Sequence, residues 1–308
     1  MMNNFIEWVR VSGLDDIICT DEAFLLKLVT LDLSKKQIKF IPDSIAVIEN
    51  LSVLKLSFNE LKTLPKGICA LKNLKNLQID NNYLVTLPDC IGELDSLIIL
   101  NASGNYLKTL PNEIGKLCHL ARLILSSNRL SMLPNEFVHL EKLLFLDLES
   151  NSFEVLPDLF YGMSNLYHLN ISFNNIRDLP PSISFLEELE TFLLERNKIQ
   201  NLPTLESLDM LINLNISKNQ IKEINFDISK LEDLAIFIAD ENELSSLPEQ
   251  ICKLKKLKVL SISSNQISSL PDCLNNLDVL EELDVEDNLI DELPLGVHKM
   301  PNLKKIYF

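Results

Sequence analysis

Residues 51–73 read LSVLKLSFNELKTLPKGICALKN, and residues 120–142 read LARLILSSNRLSMLPNEFVHLEK. With Phe137 in the place of one isoleucine, both follow the skeleton LxxLxLxxNxLxxLPxxIxxLxx. Twelve copies open at Leu28, Leu51, Leu74, Leu97, Leu120, Leu143, Leu166, Leu189, Leu211, Leu234, Leu257 and Leu280. Only the eighth is one residue short, and a partial thirteenth begins at Leu303. One copy cannot bury its own apolar face, so the copies must stack into one domain with a continuous core.

Each copy divides into a strand and a return segment. Apolar residues at positions 4 and 6, as in Leu146-Asp147-Leu148, alternate with polar ones, which predicts a short strand with one buried face. Strands at this constant spacing must lie parallel. Proline at position 15, as in Pro65, predicts an extended turn. The following IxxL spacing predicts one helical or 3₁₀ turn on the return side.

The asparagine at position 9 is predicted to be structural. It recurs among leucines in eleven of the twelve full copies, where its amide can donate to and accept from backbone groups left unpaired as the strand turns away. The first copy has Lys36 instead. The predicted asparagine ladder is Asn59, Asn82, Asn105, Asn128, Asn151, Asn174, Asn197, Asn219, Asn242, Asn265 and Asn288.

The skeleton over residues 28–308 resembles the LP-type leucine-rich repeats of Scribble, of the Ras-suppressor group and of many bacterial proteins. This resemblance implies an α/β fold: a horseshoe solenoid with a concave parallel sheet and short helical or 3₁₀ turns on its convex side. It also implies that the protein holds other proteins. Bacterial leucine-rich effectors with ubiquitin-ligase activity have similar repeats but carry a catalytic domain that residues 1–308 do not contain.

Residues outside the twelve copies are predicted to cover the ends of the stack. Residues 1–27 are interpreted as an N-terminal cap, because Phe5, Ile6, Trp8 and Val9 share one helical face before Gly13. Trp8 is expected to plug the first coil, although a ligand contact is an alternative. At the far end, the strand beginning at Leu303 is expected to be its own cover, or to pair with another chain.

Charge and cysteine usage restrict the compartment and the partners. The net charge of -16 argues against nucleic acid and anionic membranes. No stretch predicts a membrane span or a Sec signal. The six cysteines are scattered, so they are interpreted as reduced thiols of a cytoplasmic protein, although Cys69 and Cys90 occupy the same repeat positions as Cys252 and Cys273. The alternative is secretion by a non-Sec route into a host cell.

Residues that the skeleton does not dictate on the concave strands are the candidate partner-binding surface. Large apolar and arginine side chains there, beside acidic residues that increase toward the C-terminus, predict a protein partner with basic and apolar groups. The candidates are Ile99, Arg122, Ile124, Phe145, Asp147, Tyr167, His168, Asn170, Phe173, Leu193, Arg196, Ile236 and Ile238. The alternative is that a long leucine-rich stack carries such residues incidentally.

Catalysis is not predicted. The four histidines are isolated from one another, and no nucleophile, metal-ligand or phosphate-binding motif is present, so neither a cofactor nor a metal is expected. The sequence therefore predicts a non-catalytic protein-binding module. A bacterial effector that acts by binding a host protein is the first alternative, and an enzyme with a site on the concave face is the second.

Overall fold

The computed structural model describes residues 1–308. The chain divides into two compact units, residues 1–146 and residues 147–308, and each is described by itself. No helix in the structure has the length and apolar content that a membrane span requires.

The first unit begins with two helices, α1 (Met2–Val11) and α2 (Glu22–Leu25). Phe5, Trp8 and Val9 follow helical spacing and are buried, whereas Ile6, predicted on the same face, is only half-buried. Gly13 follows α1 with a left-handed φ of 65°, a conformation that glycine adopts without strain. The assignment of residues 1–27 as a cap remains a prediction.

Thirteen three-residue strands follow, each formed by positions 3 to 5 of a copy. In eleven of them the apolar central residue is buried and its two neighbours are not, so one side of the strand faces the core and the other faces outward. The strands are β1 (Thr30–Asp32), β2 (Val53–Lys55), β3 (Asn76–Gln78), β4 (Ile99–Asn101), β5 (Arg122–Ile124), β6 (Phe145–Asp147), β7 (His168–Asn170), β8 (Thr191–Leu193), β9 (Asn213–Asn215), β10 (Ile236–Ile238), β11 (Val259–Ser261), β12 (Glu282–Asp284) and β13 (Lys305–Tyr307).

Neighbouring strands pair parallel, residue by residue. In the first unit β1 to β5 pair in chain order, and in the second unit β7 to β13 do the same. Equivalent repeat positions therefore lie side by side on adjacent coils. The parallel leucine-rich repeat fold predicted from the skeleton is confirmed in each unit.

The return segments contain the predicted 3₁₀ turns. A proline directly precedes eight of the eleven turns; Pro65, for example, is extended with φ -71° and ψ 149°, and the turn follows at once. The turns are Asp43–Val47, Lys66–Ala70, Asp89–Glu93, Asn112–Lys116, Asn135–His139, Phe160–Gly162, Pro181–Phe185, Ile228–Lys230, Glu249–Lys253, Asp272–Asn276 and Val297–Lys299. Glycine permits close packing between turns in the first unit: a Cβ on Gly92 would lie 2.3 Å from the carbonyl oxygen of Glu113.

The return segments of the eighth and ninth copies differ from those of the other copies. Residues 203–210, where the copy is one residue short, form simple turns without a 3₁₀ segment. In the ninth copy Asn225 replaces the proline, and the 3₁₀ turn Ile228–Lys230 has only three residues. The Asp227 side chain caps this turn by accepting a hydrogen bond from the Ser229 N–H.

The position-9 asparagines bond the backbone of consecutive coils together. The Asn82 Oδ1 accepts from the Leu61 N–H at 3.0 Å, and its Nδ2 donates to carbonyl oxygens of its own coil and of the preceding one. The pattern recurs in the second unit, where the Asn242 Oδ1 accepts from the Ile221 N–H at 3.1 Å. Each amide thereby satisfies buried backbone groups at the end of a strand.

The expectation of six reduced thiols is wrong for the structure. Cys69 is bonded to Cys90 in the first unit, and Cys252 is bonded to Cys273 in the second. Consecutive 3₁₀ turns bring repeat positions 19 and 17 to Cα separations of 5.7 and 5.8 Å, within the range that a disulfide spans. Cys19 and Cys118 are free and exposed.

Candidate protein-interaction surface

The outward face of the strands carries most of the predicted binding residues, and we call it the strand face. In the first unit Ile99, Arg122, Ile124 and Phe145 lie on it half-buried. The residues half-buried on the strand face of the second unit are Asp147, His168, Leu193, Ile236 and Ile238. Tyr167 immediately precedes β7, and Phe173 and Arg196 follow β7 and β8; these three side chains are exposed.

An aromatic ring and a guanidinium group dominate the strand face of the first unit. The Arg122 guanidinium lies over the Phe145 ring, 3.7 Å from its centre, which is cation–π geometry. Ile99 lies beside Arg122 in register, and Ile124 follows two residues later on the same face. The four side chains form an apolar patch with one positive charge.

A second aromatic–arginine pair lies at the C-terminal ends of β7 and β8. Phe173 is 36% exposed, and Arg196 lies over its ring at 5.6 Å. Both residues have a left-handed φ of 56°. Position 8 has a left-handed φ in all twelve full copies, so this conformation belongs to the repeat and places the side chain of position 8 beside the strand face.

Asn170, a predicted partner-binding residue, is already hydrogen-bonded within the fold. Its side chain is buried: Oδ1 accepts from the Ser172 N–H at 3.0 Å, and Nδ2 donates to Glu149 at 3.0 Å. Asp147 at the same repeat position accepts from the Glu149 N–H at 3.0 Å. Position 5 points outward, but Asn or Asp there caps the end of its own strand. These two residues therefore help to build the surface.

Acidic side chains surround the strand face of the second unit, and two lysines partly neutralise them. Lys218 lies 2.9 Å from Glu195 and 3.9 Å from Glu241, and the hydrogen bond to Glu195 raises the pKa of Lys218. Lys305 similarly pairs with Glu282 at 2.9 Å. The acidic residues are Glu149, Glu195, Asp240, Glu241, Glu282, Asp284, Glu286 and Asp287.

Asp284 shows the effect of this crowding. Burial raises the pKa of its carboxyl above the ordinary value, and the charges of Asp240, Glu282 and Asp287 act in the same direction against a hydrogen bond from the Glu286 N–H. A carboxylate in such surroundings favours a cation beside it. The electrostatics of this face therefore suit a basic partner.

Groups with catalytic potential do not converge on the strand face. No three His, Cys, Asp or Glu side chains are placed to hold a metal ion. The Cys118 Sγ lies 3.4 Å from Nδ1 of His119, but that nitrogen is also 3.0 Å from the carbonyl oxygen of Asp95. A carbonyl oxygen only accepts, so Nδ1 carries the proton and cannot take one from the thiol.

One row of side chains was missed in the sequence. Tyr83, Tyr106 and Arg129 occupy position 10 of three consecutive copies and stack on one another beside the strand face. The signal was present as tyrosines at one repeat position in adjacent copies. It was missed because candidates were sought only on the concave strands and directly beside them.

Comparisons with known proteins agree on the fold. A leucine-rich repeat family model matches residues 26–84, 49–107 and 232–290, and a second one matches residues 165–186. No curated protein matches the sequence. A leucine-rich repeat protein of Leptospira interrogans is 30% identical, with a TM-score of 0.88 over 95% of this chain and 80% of that one.

Two further solved structures are similar. The functional domain of InlJ from Listeria monocytogenes, which includes a cysteine ladder, is 25% identical, with a TM-score of 0.80 over 93% of this chain and 64% of that one. The Drosophila Toll–Spatzle complex contains a chain that is 26% identical, with a TM-score of 0.77 over 86% of this chain and 38% of that one. Proteins of this fold thus include modules that hold other proteins.

Proposed function

Because the chain belongs to the leucine-rich repeat family, we propose that it is a non-catalytic binding module that holds a partner protein against its strand face. The observation that carries the proposal is the patch of Arg122, Phe145, Ile99 and Ile124 in the first unit. Tryptophan, tyrosine and arginine dominate protein interfaces, and apolar anchors beside them exclude water. The Arg122–Phe145 pair offers both features on a rigid sheet.

The second unit supports the same function and indicates the chemistry of the partner. Phe173 and Arg196 are exposed and form a cation–π pair, and the acidic side chains follow along the same face. A partner with apolar groups and several lysines or arginines would complement both the Phe173–Arg196 pair and the acidic side chains. Complementary charge of this kind mainly accelerates association and excludes wrong partners.

The experiment compares Phe145→Glu with Phe40→Glu. Phe40 is exposed in the return segment of the first copy, outside the strand face, and serves as the matched control. Partners captured by the wild-type protein from a lysate of the source cells are purified and titrated by calorimetry. Because a carboxylate would be buried at the interface, Phe145→Glu is expected to weaken binding at least ~100-fold, while Phe40→Glu leaves it unchanged.

Circular dichroism of both variants should match the wild-type protein, since neither residue belongs to the core. Retained affinity in Phe145→Glu would remove the strand face of the first unit as the binding surface. An effector that binds a host protein would use the same surface. An enzyme on this face would instead require converging titratable groups, which no observation favours.

The two disulfides bear on the compartment. Structural disulfides persist in oxidising surroundings and are rare in the cytosol. They therefore favour an oxidising compartment over the cytoplasm predicted from the scattered cysteines. Counting free thiols in the protein isolated without reductant distinguishes the two: two thiols support the oxidising compartment, and six support the cytoplasm.

A further inference from the structure

A stacked row of side chains lies beside the strand face of the first unit. The Tyr83 and Tyr106 rings are 6.0 Å apart and within 7° of parallel, and the Arg129 guanidinium lies 4.4 Å from the centre of the Tyr106 ring. Successive coils contribute one side chain each, so the Tyr106 ring lies between Tyr83 and Arg129. We call these three residues the tyrosine–arginine row.

The backbone holds the row in place. The N–H groups of Tyr83, Tyr106 and Arg129 each donate to a position-11 carbonyl oxygen of the preceding coil, over 2.8 to 2.9 Å. Each residue also directly follows a ladder asparagine, whose amide bonds two coils together. The side chains are thus arranged before any partner arrives, which reduces the entropic cost of binding.

The row is the centre of an exposed patch. Tyr83 is 45% exposed and Tyr106 is 41% exposed. Within the same three coils Val85 is 46% exposed and Met132 is 60% exposed. Clustered large apolar side chains that remain in solvent mark interaction surfaces more often than scattered ones do.

The charge of this patch is opposite to that of the whole chain. Residues 81–88, 104–111 and 127–134 contain no Asp or Glu, but they contain Lys108 and Arg129, in a chain whose net charge is -16. Neither cation takes part in an ion pair. Two unpaired cations beside exposed tyrosines complement carboxylates and apolar side chains.

We propose that the tyrosine–arginine row is a second binding surface, which takes an acidic, extended segment of a protein partner. Its carboxylates would pair with Arg129 and Lys108, and its apolar side chains would pack on the tyrosines, Val85 and Met132. The surface is distinct from the strand-face patch at Phe145, and it requires a partner of the opposite charge from the second unit's strand face.

Nucleic acid fits the row less well than a peptide. Single strands bind by stacking bases on open aromatic faces, and both faces of the Tyr106 ring are already covered by Tyr83 and Arg129. Two cations in a strongly acidic chain also release few counterions from phosphates. A peptide needs only the ring edges, the hydroxyl groups and the charges.

The test uses a fluorescent peptide of about eight residues, glutamates alternating with phenylalanines, which spans more than the three coils when extended. Fluorescence anisotropy measures its binding to the wild-type protein and to Arg129→Glu, Tyr106→Ser and Lys198→Glu. Lys198 is the matched control, because it is an exposed cation at position 10 in the second unit and forms no ion pair. A lysine–phenylalanine peptide and an oligothymidylate of similar length are the control ligands.

We expect saturable binding of the acidic peptide that weakens about tenfold or more in Arg129→Glu and in Tyr106→Ser and stays unchanged in Lys198→Glu. No saturable binding, or an equal loss in Lys198→Glu, would overturn the proposal, as would a preference for oligothymidylate. Self-association of the wild-type protein that Arg129→Glu abolishes would assign the surface to a second copy instead. Phe145→Glu should leave peptide binding intact, so failure here and failure of the strand-face proposal are separable.

Discussion

The strand faces of the two units have the same backbone and different chemistry. At positions 3, 5 and 7 the first unit carries two carboxylates, Asp32 and Asp80, against two cations, Lys55 and Arg122. The same positions of the second unit carry one cation, Lys305, and seven carboxylates: Asp147, Glu149, Glu195, Asp240, Glu282, Asp284 and Glu286. Because the ladder and the strands recur in both units, the fold does not require this difference. The charge of the face is therefore the part of the chain that is available for partner choice.

The return segments should be equivalent in the two units, and removing their disulfides tests this. Replacing Cys69 and Cys90 by serine, or Cys252 and Cys273 by serine, opens a cross-link over 21 residues in each unit. Each pair is expected to lower the free energy of unfolding by about 3 kcal/mol, because the unfolded chain gains freedom. Urea unfolding without reductant measures both. Reductant should lower the wild-type midpoint as well, and an unaffected midpoint would contradict the prediction.

The asparagine ladder should also stabilise the interiors of the two units equally. Replacing one ladder asparagine in each unit tests this, with a smaller expected effect than removing a disulfide. Asn105→Ala in the first unit and Asn242→Ala in the second each leave buried backbone groups without partners. Both are expected to cost about 1–3 kcal/mol of unfolding free energy. Chemical denaturation of the two variants side by side gives the values. A cost in only one unit would show that the ladder is not the common frame of both.

The smallest expected effect distinguishes the strand faces of the two units by their electrostatics. It compares the carboxyl groups of Asp284 in the second unit and Asp32 in the first. Both side chains accept a hydrogen bond from the N–H two residues on, and asparagine can keep it, as Asn101 does. The pKa of Asp284 is raised, so the folded state binds its proton more tightly than the unfolded state does. Stability contributed by that proton is lost as pH rises above the ordinary value of 3.8 through the raised folded pKa. Asp284→Asn should therefore raise the melting temperature slightly at pH 7 and leave it unchanged at pH 3.

The pKa of Asp32 is shifted in the opposite direction, so its effect on stability has the opposite sign. Burial acts to raise the pKa of Asp32, but the hydrogen bonds from Ser34 and the charge of Lys55 together lower it. Its ionised form stabilises the fold at neutral pH, and this contribution is lost as pH falls from the ordinary value through the lowered folded pKa. Asp32→Asn should lower the melting temperature slightly at pH 7. Equal shifts in both variants, recorded by calorimetry across the pH range, would remove the electrostatic contrast.

Much of the fold follows from the sequence because its determinants are local and repeated. Leucines such as Leu146 specify the buried side of a strand, and prolines such as Pro65 specify the turn after it. The cysteine pairing was not predicted, because it depends on how consecutive 3₁₀ turns approach one another. Positions 17 and 19 meet across 21 residues, although the period is 23.

The candidate surface was predicted less completely. Repeat position alone indicates that Phe145 points outward. It does not indicate that the Asn170 side chain is hydrogen-bonded to Ser172 and Glu149. The left-handed backbone at Phe173 recurs at position 8 of every full copy, but the residues there range from glycine and asparagine to lysine and phenylalanine, so residue type does not reveal it. Side-chain hydrogen bonds depend on the neighbouring coil, which the pattern of one copy does not describe.

The short eighth copy shows where this chain tolerates a change of length. Asn219 still accepts from the Ile199 N–H at 3.0 Å, but across 20 residues instead of the usual 21, so residues 203–210 absorb the deletion. An affinity tag or a fluorescent label inserted there would leave the strand register untouched. Such a tagged protein would allow partners to be followed in living cells without altering the residues that select them.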